Sequence, residues 1–151
     1  CMGGGLGIAM SADLRFAAEG SIFGIPAARL SIAYTGENIF NLFNLVGPSR
    51  AKDILYSAKR FPAEEALSIG LINRIFPAGD LEKETRAYCE TLADNAPLSI
   101  KAPKVILAEL CKETPNHDAI AAVAETCFNS ADYKEGRTAF MEKRKPVWQG
   151  A

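Results

Sequence analysis

Three consecutive glycines, Gly3, Gly4 and Gly5, open an apolar stretch that continues through Leu6 to Met10. Because glycine has no Cβ atom, another group can approach its backbone closely. The first N–H groups of a helix have no partner within that helix and point outward as donors. This pattern predicts a turn that opens a helix over residues 5–12 and holds an anion or a developing oxyanion. The alternative is a structural turn that lets a helix pack tightly on a strand.

Composition and charge limit the kinds of partner that the chain can bind. The 151 residues are 48% hydrophobic and 23% charged, which is typical of a globular domain with a real core. The net charge is −1, and the only basic run is Lys143-Arg144-Lys145, so neither nucleic-acid nor membrane-surface binding has electrostatic support. No apolar run is long enough for membrane insertion. A small molecule is the favoured partner.

The four cysteines follow no metal-binding or redox motif. Cys1, Cys89, Cys111 and Cys127 share no CxxC spacing and lie mostly among helix-forming residues. They predict buried free thiols in a reducing compartment and no metal site. Since no signal-peptide pattern is present either, we expect a cytoplasmic protein.

The hydrophobic pattern predicts an α/β core followed by an all-helical region. Residues 1–78 combine short strands over 14–18, 21–25 and 71–76 with helices over 37–45, 50–58 and 63–69. Gly47-Pro48 separates the first two of these helices. Residues 79–151 predict helices alone, over 81–95, 98–112, 117–128 and 132–144.

Several short motifs follow one another in order along the chain. They are Gly3-Gly4-Gly5-Leu6, Asp13-Leu14-Arg15-Phe16-Ala17, Phe23-Gly24-Ile25-Pro26, Leu45-Val46-Gly47, Ala63-Glu64-Glu65-Ala66, Gly70-Leu71-Ile72-Asn73-Arg74, Glu135-Gly136 and Phe140-Met141-Glu142-Lys143-Arg144-Lys145-Pro146. As an ordered set they resemble the rear part of the crotonase (enoyl-CoA hydratase/isomerase) superfamily over essentially the whole chain. The resemblance implies the rear part of a ββα spiral in residues 1–78 and a helical trimerisation region in residues 79–151. It also implies that the chain is the back portion of a longer protein.

The resemblance implies chemistry on acyl-CoA thioesters. Family members polarise the thioester carbonyl with two backbone N–H groups, of which one maps to Gly4 and the other precedes this chain. No cofactor is implied, because the coenzyme A thioester is the substrate. The implied substrate-binding residues are Gly3, Gly4, Pro26, Ala27, Leu30, Phe140 and Lys143. Self-association as a trimer or hexamer is implied too, and surplus apolar residues such as Val105, Leu107 and Phe128 favour it.

The acid–base residues depart from the family pattern. Hydratases of the family carry glutamates at the positions of Gly7 and Ala27, and related isomerases and dehalogenases carry an aspartate at the position of Thr35. We therefore hypothesise that Glu37 replaces the missing acid–base pair, with Tyr34 assisting. The structural alternatives are a carboxylate favoured by a helix N-terminus for Glu37 and a half-buried aromatic with a bonded hydroxyl for Tyr34.

Three functions follow from this pattern. The first is an acyl-CoA-processing lyase or isomerase of the enoyl-CoA hydratase/isomerase type, in fatty acid metabolism. The second is another reaction on the same scaffold, such as isomerisation, decarboxylation or thioester hydrolysis. The third is an acyl-CoA-binding family member without turnover.

Overall fold

The computed structural model describes residues 1–151, and the chain divides into the units Cys1–Arg86 and Ala87–Ala151. The first unit is an α/β assembly of short elements. In chain order they are α1 (Gly4–Met10), β1 (Phe16–Ala18), β2 (Ile22–Gly24), a 3-10 helix (Pro26–Leu30), α2 (Gly36–Ser57), β3 (Arg60–Pro62), α3 (Ala63–Ser68) and β4 (Arg74–Phe76). The predicted boundary at residue 78 between the ββα core and the helical region stays a prediction.

Two small sheets hold the first unit together. β1 pairs in parallel with β4, with Ala17 opposite Ile75, and β2 pairs antiparallel with β3, with Phe23 opposite Phe61. An isolated parallel bridge joins Met2 to Gly24, so the residue before the glycine turn lies beside β2. The sheets thereby fix the entry to α1.

Helix α2 is broken where the sequence predicts it. Gly47 has φ 76° and ψ 169°, which no helical residue adopts, and Pro48 follows it directly. The helix begins after Thr35, whose Oγ1 accepts the Asn38 N–H at 3.4 Å.

Buried apolar side chains from the helices and strands of the first unit form its core. The largest fully buried side chains are Leu6, Ile25, Leu42, Ile54, Phe61 and Leu71. Burial of each such side chain contributes about 1.5–3 kcal/mol. Phe23 and Phe61 stack across the β2–β3 pair with ring centroids 6.2 Å apart. Leu6 and Met10 belong to this core and hold α1 against it.

The second unit is helical. Helix α4 (Leu81–Ala93) crosses the boundary between the units, and α5 (Pro97–Leu110), α6 (His117–Asn129) and α7 (Ala131–Glu142) follow. The buried Asp132 carboxylate accepts the N–H groups of Gln149 at 2.7 Å and Gly150 at 2.9 Å, which ties the final residues to α7. None of the helices combines the length and apolarity that crossing a membrane requires.

Two features of the structure differ from the sequence-based expectation. Strand β3 was not predicted, because three residues ending in Pro62 give no alternating pattern and acquire strand geometry only by pairing with β2. The cysteines are free, as expected, but the prediction that they are buried is wrong. Cys1, Cys89 and Cys111 are exposed and Cys127 is half-buried. Cys1 precedes α1 and Cys111 follows the end of α5, whereas α4 places Cys89 on an outer face.

An ion pair in the second unit joins the residue that follows the end of α7 to a carboxylate within that helix. Arg144 binds Glu135 through two bonds, Nη1 to Oε1 at 2.6 Å and Nη2 to Oε2 at 2.9 Å. The Val147 N–H donates to the same carboxylate at 2.8 Å. The bonds from Arg144, and then the bond from Val147, lower the pKa of Glu135 from 4.5 to about 2.

We expect this pair to stabilise the fold above pH 4.5 and to be lost as the pH falls toward about 2. The reason is that the unfolded carboxylate binds a proton first. Unfolding by urea at a series of pH values checks this. Glu135→Gln should flatten the acid side of the stability profile, whereas the exposed control Glu113→Gln should not. An acid slope that is the same in both variants would contradict the assignment.

Candidate active site

The glycine turn is held against β2 by its backbone. Gly3 has φ 50° and ψ −119°, a conformation that a residue with a Cβ atom rarely adopts. Its N–H donates to the Gly24 carbonyl at 2.9 Å. Pro26 packs beside the turn, with its Cδ 3.8 Å from where a Cβ atom on Gly3 would lie. The turn is therefore fixed by β2 and by the residue that opens the 3-10 helix.

The peptide between Gly3 and Gly4 is fixed at its carbonyl end. The Gly3 carbonyl accepts the Gly7 N–H at 3.0 Å and the Tyr34 hydroxyl at 2.9 Å. The same peptide carries the Gly4 N–H, which has no acceptor within the chain and belongs to an exposed residue. Because hydrogen bonds to a carbonyl polarise the whole peptide unit, they strengthen its N–H as a donor. Gly4 thus presents an oriented and unoccupied backbone donor.

Tyr34 reaches this peptide from the loop that precedes α2. Its side chain is half-buried against the core of the first unit. Burial raises the pKa of the Tyr34 hydroxyl above that of a free tyrosine, because the charged phenolate is disfavoured away from water. The hydroxyl therefore stays protonated at neutral pH and acts as a hydrogen-bond donor.

Three of the predicted substrate-binding residues share the 3-10 helix. Pro26 begins it, since proline presets φ for a first helical position, and Ser31 ends it with φ 53° while donating its N–H to the Ala27 carbonyl. Ala27 is half-buried and packs against the core, whereas Leu30 is 63% exposed. The 3-10 helix thus presents an exposed apolar side chain at Leu30 and no ionisable group at position 27.

Asn38 is the residue near the turn that sequence reasoning missed. A Cβ atom built on Gly7 would lie 2.9 Å from both Oδ1 and Nδ2 of Asn38. The carboxamide therefore rests directly on the backbone of α1. No sequence motif indicates this contact, because it depends on how α1 packs against α2.

Glu37, the proposed acid–base residue, is exposed in the first turn of α2. Consecutive residues of a helix project about 100° apart, so Glu37 and Asn38 point in different directions. The Glu37 carboxylate makes no hydrogen bond or ion pair within the chain. Its role stays a prediction.

The remaining predicted residues, Phe140 and Lys143, lie at the end of α7 in the second unit. Phe140 is 82% exposed, and Lys143 ends the helix with φ 55°. Arg144 is paired with Glu135 and Lys145 with Asp94, so Lys143 is the one cation of the basic run without an ion-pair partner. No three His, Cys, Asp or Glu side chains come close enough to hold a metal ion.

Comparison with known proteins identifies relatives of the whole chain. A family profile described as Enoyl-CoA hydratase/isomerase matches residues 1–151. Carnitinyl-CoA dehydratase of Salmonella typhi is 32% identical over 98% of this chain and 59% of its own length. Short-chain-enoyl-CoA hydratase of Clostridium acetobutylicum is 34% identical over 95% of this chain and 56% of its own.

A solved structure of a protein with a similar name has the same fold as this chain. The crystal structure of a putative enoyl-CoA hydratase/isomerase family protein from Hyphomonas neptunium superposes with a TM-score of 0.93 at 34% identity, covering 100% of this chain and 58% of its own. The chain therefore has the α/β, helix-rich architecture of these proteins and spans more than half of their length.

Gly24, whose carbonyl accepts the Gly3 N–H, lies where β2 is tightly packed, and adding a methyl group there tests that packing. A Cβ atom there would lie 2.8 Å from the Lys59 carbonyl and 3.0 Å from the Met2 Cε. Since a backbone carbonyl cannot rotate away, Gly24→Ala should destabilise the fold by about 1–3 kcal/mol, the range for overpacked sites. Gly36→Ala is the matched control, because nothing lies within 4 Å of its Cβ position. Urea unfolding of both variants measures the difference, and equal midpoints would contradict the packing.

Proposed function

We propose that the protein acts on acyl-CoA thioesters, because the chain belongs to the enoyl-CoA hydratase/isomerase (crotonase) family. The observation that supports this most directly is the Gly4 N–H, which has no acceptor within the chain although its peptide is fixed at Gly3. Such a donor suits the oxygen of a thioester carbonyl. It needs neither a metal nor a cofactor.

In the proposed reaction the Gly4 N–H stabilises negative charge on the thioester oxygen. The carbonyl oxygen becomes an enolate oxygen when a proton leaves the carbon bonded to the carbonyl carbon, so its hydrogen bond strengthens in the transition state. One preorganised donor of this kind is worth about 2.7–4 kcal/mol of barrier. By the family resemblance, a second donor from outside residues 1–151 completes the pair.

Two candidates remain for the reaction that accompanies carbonyl polarisation, because they differ in how a proton is transferred. Gly7, Ala27 and Thr35 supply no carboxylate where the family pattern has one. We propose Glu37 as the acid–base residue of a hydratase or isomerase, with Tyr34 as a neutral donor because its hydroxyl stays protonated. The second candidate is an isomerase, decarboxylase or thioesterase, or an acyl-CoA-binding protein without turnover, and the absent carboxylates favour it.

Coenzyme A binding and self-association complete the proposal. The exposed Phe140 ring and the unpaired Lys143 ammonium suit an adenine face and a phosphate. In the second unit, an apolar groove of about 460 Å³ is lined by residues that include Phe128, Tyr133 and Phe140. Exposed apolar surface of this kind is consistent with assembly as a trimer or hexamer.

The reaction type is tested with the protein at full length. Crotonyl-CoA is added, the loss of the conjugated-enoyl absorbance is followed, and binding of the same compound is measured by calorimetry. If Glu37 transfers the proton, Glu37→Gln should lower kcat about 10²–10⁴-fold. Glu64→Gln, which changes another exposed first-turn glutamate, should leave kcat unchanged. Binding without turnover in the wild type would overturn the hydratase reading and favour the second candidate.

The hydroxyl of Tyr34 is expected to act through the Gly3 peptide. Tyr34→Phe removes the 2.9 Å bond to the Gly3 carbonyl and keeps the ring in the core. Loss of one neutral hydrogen bond of about 1 kcal/mol predicts a fall in kcat of about 3- to 10-fold. The dissociation constant of the acyl-CoA should change little, because the donor matters more once charge develops. An equal loss in binding and in kcat would instead indicate a purely structural role.

A further inference from the structure

The contact between Asn38 and Gly7 combines two properties that point to a ligand. Both carboxamide atoms lie 2.9 Å from the position that a Cβ atom of residue 7 would take, which is too close for a real Cβ atom. Its Oδ1 and Nδ2 make no hydrogen bond within the chain, although the residue is half-buried. No unpartnered side-chain atom of the chain is fully buried, so both atoms remain accessible from outside. The Asn38 carboxamide therefore offers one acceptor, Oδ1, and one donor group, Nδ2, to an incoming molecule.

The location of this carboxamide relates it to the proposed thioester site. Gly7 follows Gly4 by three positions on α1, and the Gly7 N–H donates to the carbonyl of the Gly3–Gly4 peptide. Residues three apart lie on the same side of a helix, about 4.5 Å apart along its axis. If the acyl chain of a thioester bound at Gly4 runs along α1 toward Gly7, its second and third carbons come within reach of residue 38.

We propose that the Asn38 carboxamide hydrogen-bonds a hydroxyl group, or a bound water, at the third carbon of the acyl chain. This inference rests on the proposed function, since it takes the thioester carbonyl to bind at Gly4. A carboxamide suits the task because it both donates and accepts. It does not titrate, so Asn38 positions the oxygen and transfers no proton.

Gly7 is part of the same arrangement. Because Gly7 has no Cβ atom, the carboxamide can lie against α1. A methyl group at position 7 would favour the helix itself, since alanine is the better helix former. The same methyl group would displace the carboxamide, which is the movable end of its side chain. Gly7→Ala is therefore expected to reproduce Asn38→Ala without altering residue 38.

The test compares two probes that differ in a single hydroxyl group. Dissociation constants of 3-hydroxybutyryl-CoA and butyryl-CoA are measured by calorimetry for the full-length wild type, Asn38→Ala, Gly7→Ala and the double variant. Asn44→Ala, an exposed asparagine of the same helix, is the matched control. Circular dichroism confirms that each variant is folded.

We expect both single variants to weaken 3-hydroxybutyryl-CoA binding about 3- to 10-fold, as loss of one neutral hydrogen bond predicts. Butyryl-CoA binding should change less than twofold, and the double variant should lose no more than either single variant. Equal losses for the two probes, or additive losses in the double variant, would overturn the inference. Failure of the wild type to bind butyryl-CoA would overturn the proposed function itself, which is a separate outcome.

Discussion

The Gly3–Gly4 peptide is the unit on which the candidate site depends. Its neighbouring Gly3 N–H is bonded to β2, and its carbonyl is bonded to α1 and to Tyr34. These three bonds link the sheet, the helix and the loop before α2 at one point. Because the carbonyl is occupied twice, the N–H at its other end is fixed in direction before any ligand arrives. Preorganisation of this kind is what gives a backbone donor its value at a reacting carbonyl.

Most of the secondary structure could be predicted from the sequence, since it follows from local signals. The break at Gly47-Pro48 and the helices of the second unit lie where glycine, proline and apolar spacing indicate them. Strand β3 could not be predicted, because its geometry exists only through pairing with β2. The exposure of the cysteines was misjudged for a related reason, as burial depends on which helix faces pack.

The candidate site likewise has one part that local sequence signals predict and another part that only tertiary packing creates. The glycine turn and its backbone donor could be predicted from the sequence, because the first N–H groups of a helix have no partner within that helix. The bond from Tyr34 to Gly3 spans 31 residues and the contact between Asn38 and Gly7 spans two helices, so no local pattern reports either. Family membership supports the proposed class of substrate. It does not supply the proton chemistry, because Gly7, Ala27 and Thr35 carry no carboxylate at the positions where the resemblance implies one.

The Asn38 carboxamide that occupies the space beside Gly7 also couples these two positions of the chain. Two residues distant in sequence compete for one volume, so neither can enlarge independently of the other. A larger side chain at position 7 would meet an occupied space unless residue 38 became smaller or its carboxamide moved away. Substitutions at the two positions are therefore coupled, and their effects on stability should not add.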